Sequence, residues 1–217
     1  MMIEKIPVRI TSQRIIPHIS EEFARAYQVE EGHQSVAFFS TDNDDVAYLA
    51  VDDAMKKARI SLVHARTFYG GLTNSWSRNG GSILVLFSGP RVEDVRSGLH
   101  YVNDYVKNHG ALYCFDQDEG TAFYAKTVSR TGKYFQKEFG VPEGAAYTYL
   151  FGGPIESAYA LDKALKASDT RMTHYWAPPS VCNSCGAILS GTESACKQAE
   201  AAYVEALRFA IGHPQNL

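Results

Sequence analysis

From Asp44 to His64 the apolar residues fall first at helical and then at alternating spacing. Ala47, Ala50, Val51, Ala54, Met55 and Ala58 follow i, i+3, i+4, i+7, i+8, i+11, which gathers them on one face of a helix. From Arg59 to Arg66 the pattern changes to alternation, with Ile60 and Leu62 on one side, as in a strand. A Gly/Asn/Ser-rich stretch over 68–82 predicts a long loop. "SILVLF" then reads as a buried strand, stopped at Gly89-Pro90 because proline brings no N–H to a ladder. Val92, Val95, Leu99, Val102 and Val106 mark a second helix. Upstream, "VRITSQRII" predicts a strand, "EEFARAYQ" a short helix and "SVAFFS" another strand.

The same order returns later in the chain. "YLAVDDAMKKARISLVH" (48–64) lies 110 positions before "AYALDKALKASDTRMTH" (158–174), so that Asp52 meets Asp162, Lys56 meets Lys166 and His64 meets His174. "VEEG" at 29–32 matches "VPEG" at 141–144, and "LFSGPRVEDV" resembles "ILSGTESACK". Three weak matches in one order imply an internal repeat. The second copy predicts strands in "TAFYAKTVSR" and "AYTYLFG" with "KYFQKEFG" helical between them. A helix over 157–168, strands over 170–176 and 186–190, and a helix over 192–211 complete it. We therefore expect two α/β (α+β) domains of about 100 residues, at 1–108 and 109–217, each with helices beside a small sheet.

Composition narrows the function classes. The net charge is −3 and no Lys/Arg run stands out, so no nucleic-acid footprint is expected. The N-terminus lacks a basic segment followed by an apolar one, and the longest apolar run, Ile83 to Phe87, is too short to span a bilayer. No membrane partner is expected. Four cysteines without a regular framework suit a reduced cytosolic setting. Thirteen Tyr and eleven Phe imply large packing surfaces, inside the subunit or between subunits.

Two acidic pairs are the first candidates for chemistry. Asp52 and Asp53 lie off the apolar face of their helix, each with a lysine four residues later, and read as a solvated, ion-paired face. Asp44 and Asp45 stand between a strand and a helix, where an anionic side chain caps the helix start. The same place lies at an edge that a ligand can approach. The loop over 68–82, with Gly70-Gly71 and Gly80-Gly81, is neither a P-loop nor a dinucleotide fingerprint. It reads equally as a hairpin connection and as a functional or interface loop.

Cys182-x-x-Cys185 occupies the matching loop of the second copy. Such a pair could bind zinc, hold part of an iron–sulfur cluster or cycle as a dithiol. It supplies only two ligands, so free or structural thiols are the simpler reading. A symmetric oligomer that pools its loops would keep the metal reading open. Cys114 and Cys196 read as packing residues. His64 and His174 hold equivalent repeat positions, which favours a structural role. No G-x-S-x-G, no H-E-x-x-H and no local pairing of nucleophile with base occurs, so an enzyme is not expected.

The order of strand, acidic turn, "VAYLAVDDAMKKARISLV", glycine-rich loop and "GGSILVLFSGPRVEDVRSGL" resembles the bacterial microcompartment shell domain. In both copies the strand and short helix that would close that domain come first, which is the circularly permuted arrangement. "DNDDV" and "VSRTGKY" are the most specific pieces, and nearly the whole chain resembles the tandem-domain shell proteins of ethanolamine-utilisation compartments. The resemblance implies a homotrimer whose six domains mimic a hexagonal tile, packed edge to edge with other shell proteins in a microcompartment of the bacterial cytoplasm. It implies small pores, a gated central passage and no required cofactor. Ethanolamine is the implied ligand near the pores, and pathway context adds cobalamin as a further candidate.

By the same resemblance the small-pore region maps onto Asp44, Asp45, Tyr69 and Tyr113, with Gly70 and Gly71 suited to a moving loop. Carboxylates in a narrow passage attract a cationic amine, and aromatic faces add cation–π attraction. The sequence departs from the family at Ser82, where a Glu is expected, at Phe115, where a Trp is expected, and in carrying Cys182 and Cys185. The alternative to a simple tile is an electron conduit through a metal or iron–sulfur centre on those two cysteines. A small-molecule sensor or enzyme built on the duplicated scaffold is a third reading.

Overall fold

The computed structural model describes residues 2–68, 81–115, 122–178 and 184–215. In chain order the elements are β1 (Ile3–Pro7), β2 (Ile10–Ile16), α1 (Glu21–Tyr27), β3 (Ser35–Thr41), α2 (Asp44–Lys57), β4 (Ser61–Phe68), β5 (Ser82–Gly89) and α3 (Val92–His109). They continue with β6 (Ala111–Phe115), β7 (Tyr124–Val128), α4 (Lys133–Phe139), β8 (Ala146–Gly152), α5 (Pro154–Ala167), β9 (Arg171–Trp176), β10 (Cys185–Gly191) and α6 (Glu193–Gly212). The compact units are Pro7–Ala111 and Met1–Ile6 with Leu112–Leu217. The first six residues join the later unit because β1 and β6 pair in a two-stranded sheet that the hydrophobic pattern did not signal. The break expected between 108 and 109 falls at the end of α3.

Each unit holds one four-stranded antiparallel sheet, in the order β2-β3-β5-β4 in the first and β7-β8-β10-β9 in the second. These orders place equivalent strands in equivalent positions. In both units the strand before the short helix pairs with the strand after it, β2 with β3 and β7 with β8, which is the permuted arrangement.

In the first unit Phe39, Ile83, Val85 and Phe87 point from the sheet toward α2 and α3. Gly98 of α3 is required there, since a Cβ on it would come within 2.8 Å of the Phe87 ring. Val95, Val102 and Val106 of α3 are buried, with the spacing the sequence predicts. The opposite sheet face carries Phe38, whose ring meets Tyr27 of α1 edge-on at 6.1 Å. The second unit repeats the layers. Leu150, Ala187 and Leu189 join Ala160, Ala164, Ala199, Tyr203 and Leu207 of α5 and α6 in one core cluster. On the other face Phe135 of α4 stacks on Tyr147 at 4.7 Å. Burying each Val, Leu, Ile or Phe among these side chains contributes about 1.5–3 kcal/mol before entropy is counted.

A bulge recurs in the edge strands. The β4–β5 register shifts between Leu62 and His64, and the β9–β10 register shifts between Ile188 and Leu189. The shifts bring His64 opposite Leu86 and His174 opposite Ile188. The two histidines are thus equivalent in space as well as in sequence, which fixes the offset of 110 on the structure. His174 sits against Trp176 at 4.3 Å and Phe139 at 5.0 Å.

Burial lowers the His174 pKa below its ordinary 6.5. The unfolded chain therefore binds this proton first as the pH falls. The stability that neutral His174 provides is fully present above pH 6.5 and is lost as the pH drops through the folded value. A His174→Phe variant should lose less stability than the parent between pH 7 and 5, read from urea midpoints. Equal losses in the two proteins would contradict the assignment.

Candidate functional site

The start of α2 gathers more buried polar groups than any other turn described here. Asn43 is the N-cap: its backbone is extended and its side-chain oxygen accepts from the Val46 N–H at 2.9 Å. The cap expected from Asp44 or Asp45 thus falls to Asn43, a residue type that commonly caps a helix for about 1 kcal/mol. Asp44 and Asp45 occupy the first turn itself. They are only 5% and 9% exposed. The helix dipole favours negative charge at that end, and hydrogen bonds limit the desolvation cost.

Those bonds come from β4 and from the cap residue itself. The Thr67 hydroxyl on β4 donates to Asp44 Oδ2 at 2.7 Å. Tyr48 OH, one turn along α2, lies 3.0 Å from Thr67 Oγ1. Asn43 Nδ2 donates to Asp45 Oδ2 at 3.4 Å. On β3 the Thr41 hydroxyl donates to the Asn43 carbonyl at 2.8 Å. Thr41 and Thr67 both pair with Ile83 of β5, from its two sides. A row of three residues across three strands therefore holds the start of α2, with Ile83 apolar at the centre and a hydroxyl at either end. Asp42, next to this turn, accepts from the Arg9 N–H at 2.8 Å, and burial pushes its pKa up.

Asp52 departs from the sequence reading. It is buried, 1% exposed, with its carboxylate 2.9 Å from Lys56 Nζ. Asp44, Tyr48 and Asp52 are spaced i, i+4, i+8 and share one side of α2, the side on which Tyr48 reaches β4. The polar stripe lies beside the alanine face and is not fully solvated. Asp53 fits the expectation better, pairing with Lys57 at 2.6 Å near the surface.

The other expected site residues divide. Tyr113 lies on β6 in the later unit, where it exchanges backbone hydrogen bonds with Phe123, ring centroids 5.9 Å apart. Ser82 is buried at the start of β5. Tyr69, Gly70, Gly71 and Cys182 lie outside the described residues. Cys185 is fully buried in the helix-side core. Burial pushes its thiol pKa up and does the same for Cys196. Among the described residues no group of three or more His, Cys, Asp or Glu is placed to hold a metal ion. No helix among them is long and apolar enough to cross a membrane.

Sequence reasoning missed Asn43, Tyr48 and Thr67. Asn43 was legible as an Asn before two first-turn acids. Tyr48 stands four residues after Asp44, a spacing that shares a face. Thr67 carries no local signal, because only the sheet register brings it to α2.

The duplicated, permuted sheet-and-helix units define a tandem microcompartment shell fold. Residues 35–115, which run from β3 through β6, match the BMC domain. The chain is 38% identical over 205 residues to the bacterial microcompartment shell protein EutL of Clostridium perfringens (strain 13 / Type A), covering 94% of each chain. It is 35% identical over 198 residues to the protein of that name from Escherichia coli (strain K12), covering 91% of this chain and 90% of the relative. The crystal structure of ethanolamine utilization protein EutL from Leptotrichia buccalis matches with a TM-score of 0.92 at 36% identity, over 100% of both chains. The chain belongs to the EutL family of bacterial microcompartment shell proteins, which are structural components and not enzymes.

Thiols with raised pKa and no exposure react slowly. Iodoacetamide treatment of the native protein at pH 8, read residue by residue by mass spectrometry, should leave Cys185 and Cys196 largely unmodified until denaturant is added. Rapid native labelling of Cys185 would overturn its place in the core.

Proposed function

We propose that this shell protein serves an ethanolamine-utilisation microcompartment as a homotrimeric, pseudohexameric tile. In this reading three two-domain chains set six domains around an axis, and the tile packs edge to edge with other shell proteins in the bacterial cytoplasm. A cyclic trimer brings each loop to the axis three times, so the glycine-rich segment around Gly70 and Gly71 is the proposed gate of a central passage. The small passages take ethanolamine, a cation at neutral pH, with Asp44 and Asp45 as the carboxylates. Tyr69 and Tyr113 are the proposed aromatic contributors. Cobalamin remains a second candidate ligand, on pathway context alone.

The observation that carries the ligand assignment is the carboxylate pair in the first turn of α2, nearly buried yet held by hydroxyl and amide groups. Two carboxylates in so confined a place carry a desolvation cost that a bound cation offsets. The second unit supports the same reading by contrast. At the repeat positions of Asp44 and Asp45 it has Pro154 and Ile155, and Ile155 is 78% exposed. The acidic turn is therefore not a requirement of the scaffold. Cys185 lies in the core, so nothing in the described residues favours the metal or iron–sulfur conduit over the tile.

Calorimetric titration with ethanolamine should give saturable heat with the parent protein. Asp45→Asn should weaken the affinity about tenfold, the ~1.4 kcal/mol expected for losing one charge-assisted contact. Unchanged affinity would remove Asp45 from the site. Light scattering should give the mass of three chains, with larger sheets at high concentration. A monomer over a wide concentration range would defeat the tile.

A further inference from the structure

We propose that Tyr48 and Thr67 form a hydroxyl relay that sets the direction of the Asp44 carboxylate, and so are positioning residues of the cation site. The proposal rests on the ethanolamine reading above and deepens it. An ionised carboxylate only accepts, so the Thr67 hydroxyl spends its one proton on Asp44 Oδ2, 2.7 Å away. Thr67 Oγ1 is then an acceptor toward Tyr48, and the phenol 3.0 Å away must be the donor. The order is fixed: Tyr48 donates to Thr67, and Thr67 donates to Asp44.

Each end of the relay is held by the fold. Tyr48 and Asp44 are one helical turn apart on α2, the spacing at which side chains share a face. Thr67 is the residue before the last of β4 and is held by its pairing with Ile83. The hydroxyl thus approaches from a strand and the carboxylate from a helix. A threonine has a restricted χ1, so its hydroxyl oxygen is held in a defined place. Hydrogen bonds polarise one another along such a chain, and donation from Tyr48 makes Thr67 a better donor to Asp44.

The repeat supplies independent support. With His64 and His174 aligned, Asp44 corresponds to Pro154, Tyr48 to Ala158 and Thr67 to Ala177. All three members of the relay are thus replaced by residues without polar side chains in the second copy, although they lie on two different elements. The neighbouring Asp52–Lys56 pair recurs as Asp162–Lys166, at 2.9 and 2.7 Å. The helix and its ion pair were kept while the relay is present in one copy only.

Ethanolamine titrations of full-length protein test the relay, using Thr67→Val, Tyr48→Phe, the double variant and Thr67→Ser, with Asp44→Asn as a control. Thr67→Val should lower affinity about three- to tenfold, Tyr48→Phe less, and Thr67→Ser should restore most of it. The double variant should bind like Thr67→Val alone, because the phenol acts only through the threonine. That silence is a readout a purely structural role would not produce, and thermal melts confirm that each variant is folded. If Thr67→Val does not fold, Thr67→Ala takes its place in the same cycle. Parent-like affinity in folded Thr67→Val, or additive losses in the double variant, would overturn the relay while an impaired Asp44→Asn leaves the cation site standing. A parent that binds no ethanolamine would overturn both.

Discussion

Nearly buried at the start of α2, the carboxylates of Asp44 and Asp45 must keep hydrogen-bond partners there. That constraint organises the first unit. Placing negative charge at a helix start is favourable by some 0.3–1 kcal/mol in exposed settings, but burial adds a desolvation cost that the dipole alone does not cover. The fold answers from the ends of two strands that flank β5: the Thr67 hydroxyl bonds Asp44, and the Thr41 hydroxyl holds the carbonyl of Asn43, whose amide bonds Asp45. Their hydroxyls can reach α2 only if β3, β5 and β4 are in register at Ile83. The bulge near Val63 therefore matters well beyond β4. It sets the phase in which Ala65 and Thr67 face the helices, and a one-residue slip would turn Thr67 to the far side of the sheet.

The second unit meets a different problem at the same place. Gly152 pairs with Cys185 as Thr41 pairs with Ile83, and so takes the place of Thr41 in the sheet; a Cβ there would lie 3.1 Å from Tyr203 OH. The phenol fills the space instead, bonded to Ser157 Oγ at 2.7 Å, and Ser157 also donates to the Cys185 carbonyl at 2.8 Å. Burial raises the Tyr203 pKa well above the ordinary tyrosine value, so the phenol stays protonated. Its role is to fill a core that lacks the helix-start network. The same scaffold thus satisfies its buried polar groups with a neutral pair in one copy and an anionic turn in the other.

Much of this was legible in the sequence. The apolar spacing of Ala47 to Ala58 and of Val92 to Val106 located two helices of the first unit, because amphipathic periodicity survives whatever the tertiary context. The repeat was visible because the Asp52/Asp162, Lys56/Lys166 and His64/His174 matches fall on equivalent sites of one fold. The pairing of β1 with β6 was not visible. Both are five-residue strands, and their partners are more than a hundred residues apart. Asp52 was misjudged for a related reason: a helical pattern tells which residues are apolar, but whether a polar flank meets water depends on what lies beside it. Thr67 illustrates the limit best. It is an ordinary strand threonine until sheet register places it under a carboxylate.

The exposed Ile155, standing where its counterpart is the buried Asp45, has a consequence for how such a protein can change. In a ring of identical single domains every substitution is repeated at each position, so a new charge at one opening is a new charge at all of them. Fusion of two domains in one chain removes that coupling. One helix start can be tuned, or silenced, by point mutations that leave its counterpart in the other copy untouched. The duplication thus turns one inherited surface into two separately heritable ones.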